Sequence, residues 1–379
     1  MDITRLEKVL ENEPKYRLKQ AREAVFKNFI SDWLEATFFT KELREKLNKE
    51  CPLKIEADGS VSKDKNSVKA RIILKDGLKI ESVLMRHSSP TNFSNGNSNT
   101  INKERSGFFP PTLDLPSSSQ KLVGDKAGRN TVCVSSQVGC PLGCLFCATG
   151  KMGFKRNLTV DEILEQVIFF ERYLQTDRSR RPVSLQGVTN VTFMGMGEPF
   201  LNYGNVLEAI KILNNKEYFN IGARSISVST AGIIEGIKKF SEEGLQLNLA
   251  ISLNATNDKL RSSLMPINKK HSLKEVLKSV DEYIKKTNRK VMFEYVLIKG
   301  INDSDECAKE LAGLMKKKLY FLNLILYNPT ENFKPSETKR VENFKKILKN
   351  QGINFVQRYR FGDDIKAACG QFSGELIHR

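Results

Sequence analysis

From Thr131 onward, short apolar runs alternate with longer amphipathic stretches, and this alternation constrains the fold more than any other feature of the chain. The runs Thr131–Ser136, Val188–Phe193, Ser225–Ser229, Leu245–Leu253, Lys290–Ile298, Phe321–Tyr327 and Ile353–Arg360 have the length and β-branched content of buried strands. Between them, Val160–Tyr173, Val206–Leu213, Ile233–Glu243, Leu273–Lys286, Ala308–Lys317 and Val341–Lys349 place apolar residues at helical spacing. Strand–helix repetition needs a parallel sheet with crossover helices, so the expected class is α/β, with the sheet open or closed as a barrel. No glycine-rich phosphate fingerprint opens the first helix, which disfavours P-loop and dinucleotide-binding folds.

Upstream of the repeat, Tyr16, Ala21, Val25, Phe26 and Ile30 recur at helical spacing among Lys and Arg, which predicts a small helical domain over 1–50 with a basic face. Within 51–127, Val68–Leu74 and Leu78–Leu84 alternate around Asp76-Gly77, the signature of a β hairpin. Residues Ser88–Asn102 are Ser, Asn, Thr, Gly or Pro apart from Phe93 and Ile101. Such a segment cannot bury enough apolar surface to offset its ordering entropy, so about 86–127 is expected to be a mobile insertion. The repeat itself fills 128–379.

Lys and Arg number 61 against 44 Asp and Glu, a formal net charge of +17. A surplus of that size attracts polyanions, so RNA, DNA or an anionic membrane are the candidate partners, with plain solubility as the alternative. Met1–Gln20 is charged throughout and no apolar run approaches the ~20 residues of a membrane span, so a cytoplasmic protein without a membrane partner is expected.

Of seven cysteines, Cys133, Cys140, Cys144 and Cys147 fall within fifteen residues, which suits a metal or redox site better than a disulfide framework. Cys140-Pro-Leu-Gly-Cys144-Leu-Phe-Cys147 has the spacing CxxxCxxC directly after the first strand of the repeat. Three thiolates on a short loop can hold three irons of a four-iron cluster and leave the fourth iron open to another ligand. A structural zinc site needs four ligands, and beyond the triplet the chain offers only His87, His271 and His378 as imidazoles, with no evident second pair. Zinc and three unligated thiols stay as alternatives at this point.

The triplet after a first barrel strand resembles the radical S-adenosylmethionine (SAM) superfamily. Four separated segments in order carry the likeness further: Val134-Ser-Ser-Gln-Val-Gly-Cys140, Met194-Gly-Met-Gly-Glu-Pro199, Met265-Pro-Ile-Asn-Lys269 and Asp364-Ile-Lys-Ala-Ala-Cys-Gly-Gln371. Together they resemble the RlmN/Cfr adenine methyltransferases over nearly the whole chain except the polar insertion. The resemblance implies a partial parallel (β/α) radical SAM barrel with a small N-terminal helical domain and an accessory β hairpin.

It also implies a 4Fe-4S cluster on Cys140, Cys144 and Cys147, with two SAM molecules consumed per methylation and cleavage of one of them to a 5′-deoxyadenosyl radical. Gly197, Glu198, Ser229, Ser252, Leu253, Asn254 and Asn328 would surround SAM, with Glu198 accepting from its ammonium and Gly197 letting the backbone approach closely. The family carries Ser-Leu-His where this chain has Ser252-Leu253-Asn254, so the role of Asn254 is the least defined. Cys369 would take a methyl group from one SAM and carry it to the adenine. Cys133 would help remove the ring proton and then release product by forming a disulfide with Cys369. Glu81 aligns with a family carboxylate proposed as proton acceptor, although a charged residue alternating with apolar ones is usually the wet side of a strand. Cys51 and Cys307 match nothing and read as packing.

The implied reaction is methylation of adenine C2 in large-subunit (23S) rRNA and in tRNA. The Lys and Arg of the amino-terminal helices, Lys15, Arg17, Lys19 and Arg22 among them, are candidates for gripping phosphates. A flavodoxin or ferredoxin would donate electrons, and a monomer is expected. Three alternatives stand beside this: C8 methylation as in the Cfr branch, a radical enzyme acting on protein or a metabolite, and a metal-bearing RNA-binding module without catalysis.

Overall fold

The computed structural model describes residues 3–87, 128–176, 187–330, 333–358 and 362–372. Residues 88–127 of the expected insertion lie outside that set. Twelve strands are described: β1 Glu56–Val61, β2 Ser67–Ile73, β3 Lys79–His87, β4 Arg129–Cys133, β5 Gln137–Gly139, β6 Phe154–Asn157, β7 Asn190–Phe193, β8 Ile226–Thr230, β9 Asn248–Ser252, β10 Val291–Leu297, β11 Tyr320–Leu326 and β12 Phe355–Gln357. Ten of them form one sheet in the order β1-β2-β3-β4-β7-β8-β9-β10-β11-β12, and β5 pairs with β6 as a separate hairpin.

From β4 to β12 every pairing in the large sheet is parallel, and helices connect the strands, as the alternation predicts. The helices form where expected because each has an apolar stripe and defined ends. In the Leu273–Thr287 helix, Ser272 and Glu275 make a reciprocal capping box, Asn288 ends it in the left-handed conformation, and Leu273, Val276, Val280 and Tyr283 are buried. Burial of each of the larger apolar side chains contributes roughly 1.5–3 kcal/mol.

The accessory strands do not stand apart. β2 and β3 form the expected antiparallel hairpin, β1 extends it on one side, and β3 pairs antiparallel with β4, so the accessory strands continue the parallel sheet. Among the described residues neither β1 nor β12 has a second strand neighbour, so the sheet does not close on itself there.

Its two faces differ in chemistry. Val132, Val191, Ile226, Val228, Leu249, Ile251, Phe293, Leu322 and Leu324 point to the helices and make the main core. Register places Cys133, Thr192 and Ser227 together on the opposite face, followed by Ser252, Glu294 and Asn323. Except for the partly exposed Ser252, these are buried as well. Between these rows Ala250, Met292 and Phe321 form a small apolar cluster, so the face mixes polar and apolar groups as ligand-lining surfaces do.

The amino-terminal helices Ile3–Val9, Lys15–Phe26 and Lys41–Glu50 surround their own core of Leu6, Ala21, Val25, Phe26, Trp33, Leu47 and Cys51. Arg172, on the Val160–Thr176 helix, ties this unit down by donating to the carbonyls of Phe29, Ile30 and Leu53. Among the described residues no helix is long and apolar enough to cross a membrane.

Candidate active site

The cysteine triplet sits on a loop closed at its base by the β5–β6 hairpin. Gly139 has φ +74°, and a Cβ there would lie 1.8 Å from the carbonyl oxygen of Gly153, so only glycine lets the two strands meet. Cys140 N–H then donates to Gly153 O at 3.1 Å, and Leu145 N–H to Leu264 O at 3.0 Å, which fixes the loop beside the strand ends. The three cysteines are partly exposed as residues while their sulfurs turn inward, and Ala231, Leu264, Met265, Ile298 and Tyr327 form an apolar bed beneath Cys144.

Burial pushes Cys140 up to about 12 and holds Cys144 and Cys147 well above the usual thiol range. For Cys140 and Cys144 the neighbouring thiols and Glu198 add to the rise. Such a set ionises when a strongly positive centre compensates the crowded sulfurs. Thiolates alone, with no imidazole or carboxylate among them, suit iron–sulfur chemistry. Among the described residues no three His, Cys, Asp or Glu side chains converge closely enough to grip one ion, which disagrees with a mononuclear zinc site.

Two of the quoted motifs prove to be halves of one structure. Met196 N–H donates to Ser135 Oγ at 2.9 Å, Gly195 N–H to Val134 O at 3.0 Å, and Glu198 N–H to Gln137 Oε1 at 2.8 Å. The segment before Cys140 is therefore the scaffold on which Glu198 stands. Gly197 has φ +96°, and a Cβ on it would lie 2.5 Å from Gln137 Cβ. Gln137 therefore demands the small size of Gly197 independently of any ligand beside the loop.

Glu198 accepts from Phe200 N–H at 3.1 Å and Ala231 N–H at 2.7 Å, and burial still raises its carboxyl to about 7. The Thr230 hydroxyl also hydrogen-bonds this carboxylate, and its remaining acceptor capacity suits an ammonium partner, as the SAM methionine end provides.

Ser229, Ser252 and Asn328 stand at or just beyond the carboxyl ends of β8, β9 and β11, where parallel barrels gather their chemistry. Asn328 is buried, donates through Nδ2 to Cys369 O at 3.2 Å, and its buried Oδ1 has no hydrogen-bond partner among the described residues. Leu253 is buried and donates its N–H to Glu294 O at 2.9 Å. Asn254, expected among the SAM contacts, is engaged within its own loop. It takes the left-handed conformation at φ 57°, its Oδ1 accepts from Val296 N–H at 3.0 Å, and its Nδ2 faces Met265 Sδ. Its side chain is spent on shaping the loop, a task Asn performs well in that conformation.

The residue missed in the sequence here is Arg261, on the Asp258–Leu264 helix. Fully buried, it donates to Leu253 O, Ser252 O, Ala231 O and Asn268 Oδ1, so one guanidinium joins the loops after β8 and β9 to the Met265–Lys269 motif. Its position four residues before Met265 was the available signal, but amphipathic spacing does not distinguish a buried Arg from a solvated one.

Cys369 is exposed on a loop over residues 362–372 whose only regular element is the turn Asp363–Ile365. Cys133 closes β4 and is buried on the interior face. Burial pushes the Cys133 thiol up to about 12; Cys369 adds to this and Arg358 opposes it, which brings these three groups into one neighbourhood. Arg358, partly exposed, lies 3.5 Å from Glu294 Oε2, and Asn323 donates to Glu294 Oε1 at 2.9 Å.

Glu81 is fully buried on β3, and Lys69 Nζ lies 2.8 Å from its Oε1. The wet-face reading of Glu81 is thus corrected: the sheet turns that side inward, toward the face that carries Cys133. Acceptance of a proton by Glu81 would give up the ion pair with Lys69. Of the amino-terminal cations, Arg22 pairs with Glu7 at 2.5 Å and Arg17 donates to Phe38 O at 2.7 Å, while Lys19 lines an open groove with Lys27 and Lys216. Cys51 is buried in the amino-terminal core and Cys307 packs against the main core, as expected of both.

Residues 134–311 match the model of the radical SAM superfamily. The chain is 38% identical to the "Probable dual-specificity RNA methyltransferase RlmN" of Dictyoglomus turgidum over 98% of its own length and 94% of the relative's. It is also 38% identical to the "Ribosomal RNA large subunit methyltransferase N" of Nitrosopumilus maritimus, covering 96% and 93% of the two chains. The crystal structure of a radical SAM methyltransferase from Sphaerobacter thermophilus superposes with a TM-score of 0.81 at 36% identity, covering 99% of this chain and 98% of that one.

Proposed function

The chain belongs to the RlmN family of radical SAM RNA methyltransferases, and from that footing we propose that it methylates C2 of an adenine in large-subunit ribosomal RNA and in transfer RNA. The reaction uses SAM and a 4Fe-4S cluster. Bound at Cys140, Cys144 and Cys147, the cluster supplies the single electron for reductive cleavage of SAM, the chemistry that makes an unactivated methyl group reactive. The protein's own residues do the rest. Glu198 orients the SAM ammonium, and Arg261 holds the loops that line the site. Cys369 presents an exposed thiol as methyl acceptor, and Cys133 beneath it serves as base and resolving thiol. Adenine C2 is not nucleophilic, so a methyl carrier on the protein answers a chemical need that direct displacement cannot meet.

The observation that carries this reading is the pair of thiols outside the triplet, Cys133 buried at the end of β4 and Cys369 exposed near enough to push the Cys133 thiol up. A radical enzyme acting on metabolites has no need of them, and a binding module has no need of either. The amino-terminal helices serve as an RNA-binding accessory domain, a flavodoxin or ferredoxin is the electron donor, and the protein acts as a monomer in the cytoplasm. Mass spectrometry of ribosomal and transfer RNA digested after turnover tests the proposal. Methyl on adenine C2 is the expected result; 8-methyladenosine overturns the assigned position, and unmodified RNA overturns the substrate.

A further inference from the structure

The segment that carries Cys369 has little structure of its own. Gly362, Lys366 and Gly370 are all left-handed, and Lys366, at φ 49°, adopts a conformation that costs an ordinary residue energy and persists only when neighbours enforce it. The carbonyl of Lys366 accepts a hydrogen bond from Lys69 Nζ at 3.2 Å. The same ammonium lies 2.8 Å from Glu81 Oε1 and 5.9 Å from the centre of the Phe372 ring.

Lys69 thus grips the loop on both sides of Cys369, three residues before it and three after. Its ammonium has three N–H donors and three partners, one of them a full negative charge, which is what a lysine only 6% exposed requires.

Register explains why β2 provides this contact. Lys69 is paired with Val83 on β3, and Val83 with Cys133 on β4, so Lys69 and Cys133 lie in one transverse row of the sheet, two strands apart. A loop held at Lys69 is therefore held over the row that ends at the second thiol. A neighbouring contact agrees: Lys63 N–H, in the β1–β2 turn, donates to Asp364 Oδ2 at 2.8 Å.

We propose that Lys69 is a positioning residue for Cys369: charge-compensated by Glu81, it holds the thiol-bearing loop in the geometry that receives the methyl group. The accessory strands then belong to the catalytic apparatus, and Glu81 acts as the counter-ion of Lys69. This rests on the reading of Cys369 as methyl acceptor.

The test uses the full-length, cluster-loaded protein with three variants, Lys69→Met, Lys69→Arg and the double change Lys69→Met with Glu81→Gln. Methyl on Cys369 is followed by mass spectrometry with isotope-labelled SAM, and deuterium uptake is measured along the chain. In Lys69→Met, methyl loading should slow at least tenfold with the KM for SAM unchanged, and uptake should rise over 366–372 but not in β9 to β11. Lys69→Arg, which can make both polar contacts, should recover loading to within threefold. The double variant leaves no buried unpaired carboxylate; it should regain thermal stability without regaining loading.

Normal loading in a folded Lys69→Met protein overturns the proposal. So does restored loading in the double variant, because Lys69 would then merely neutralise Glu81. If wild-type protein itself never carries methyl on Cys369, the assignment of the acceptor fails, and the uptake over 366–372 alone decides whether Lys69 holds the loop.

Discussion

Ala148 donates its backbone N–H to the carbonyl of Gly370 at 2.8 Å, so the residue after the last cysteine of the triplet and the residue after Cys369 are one hydrogen bond apart. Thr149 Oγ1 repeats the contact at Phe372 O, 2.7 Å away. The loop of Cys369 is thus partly built on the loop that binds the cluster. Removing the iron by anaerobic chelation should loosen both together: deuterium uptake over 366–372 should rise several-fold while β9 to β11 stay protected. Uptake confined to 140–147 would show that the two loops are mechanically independent.

The two unligated thiols should fail differently. Cys369→Ala should keep its cluster absorbance and lose RNA methylation by more than a thousandfold, since the methyl acceptor is gone. Cys133→Ala should accumulate a covalent protein–RNA adduct, visible as a shifted band on a denaturing gel, because release needs its sulfur. Turnover by Cys369→Ala would refute the covalent route.

Arg261→Met should be among the most damaging single changes outside the cysteines. It strips donors from three buried carbonyls and from Asn268, and each unsatisfied buried acceptor costs about 1–3 kcal/mol. A loss of roughly 3–5 kcal/mol is expected by denaturant titration. SAM affinity measured calorimetrically on the surviving folded fraction should fall at least tenfold, because the loops after β8 and β9 lose their common tie.

Gly197→Ala should destabilise the protein by ~2 kcal/mol or more, through a strained φ of +96° and a clash with Gln137. Gln137→Ala in the same chain should recover only a small part of the loss, since alanine keeps the Cβ that lies 2.5 Å and the backbone nitrogen that lies 2.9 Å from the added Cβ. Thermal midpoints of the four-member cycle measure both. Full recovery would mean that the side chain alone is the obstacle.

Glu171 lies on the Val160–Thr176 helix, nearly buried, and accepts from Val188 N–H at 3.0 Å; burial raises its carboxyl to about 7. A carboxyl whose folded value exceeds its unfolded value near 4.5 binds a proton more tightly when folded. Its contribution to stability is complete below the unfolded value and is lost as pH rises through about 7. The loss amounts to about 3 kcal/mol at ~1.4 kcal/mol per unit. Glu171→Gln can keep the Val188 contact without ionising, so it should be more stable than wild type at pH 8 and nearly equal at pH 4.5, by urea titration. An equal difference at both pH values would exclude ionisation as the cause.

The strand–helix repeat was legible because β4 and β7 to β11 are buried on the helix side by Val, Ile, Leu and Phe, and period and composition register burial. β1 was not, since Glu56-Ala-Asp-Gly-Ser-Val61 is an edge strand exposed on both faces and carries no alternation. The β5–β6 hairpin escaped for a different reason. It is three and four residues long, and its pairing depends on Gly139 and Gly153 meeting across the loop. In the site, the sulfurs were legible through their spacing. Lys69 and Asn254 were not: Lys69 follows Val68 at the spacing of any solvated strand residue, and Asn254 stands where the family places His. Only the three-dimensional arrangement shows that one faces inward onto Glu81 and the other turns back on its own loop.

A wall of strands that joins end to end has a bore fixed by strand number and shear. Here β1 and β12 remain as two free margins, so nothing in the backbone ladder sets such a bore. Strand count alone therefore leaves the width of this interior open, and the side chains that line it set its size instead.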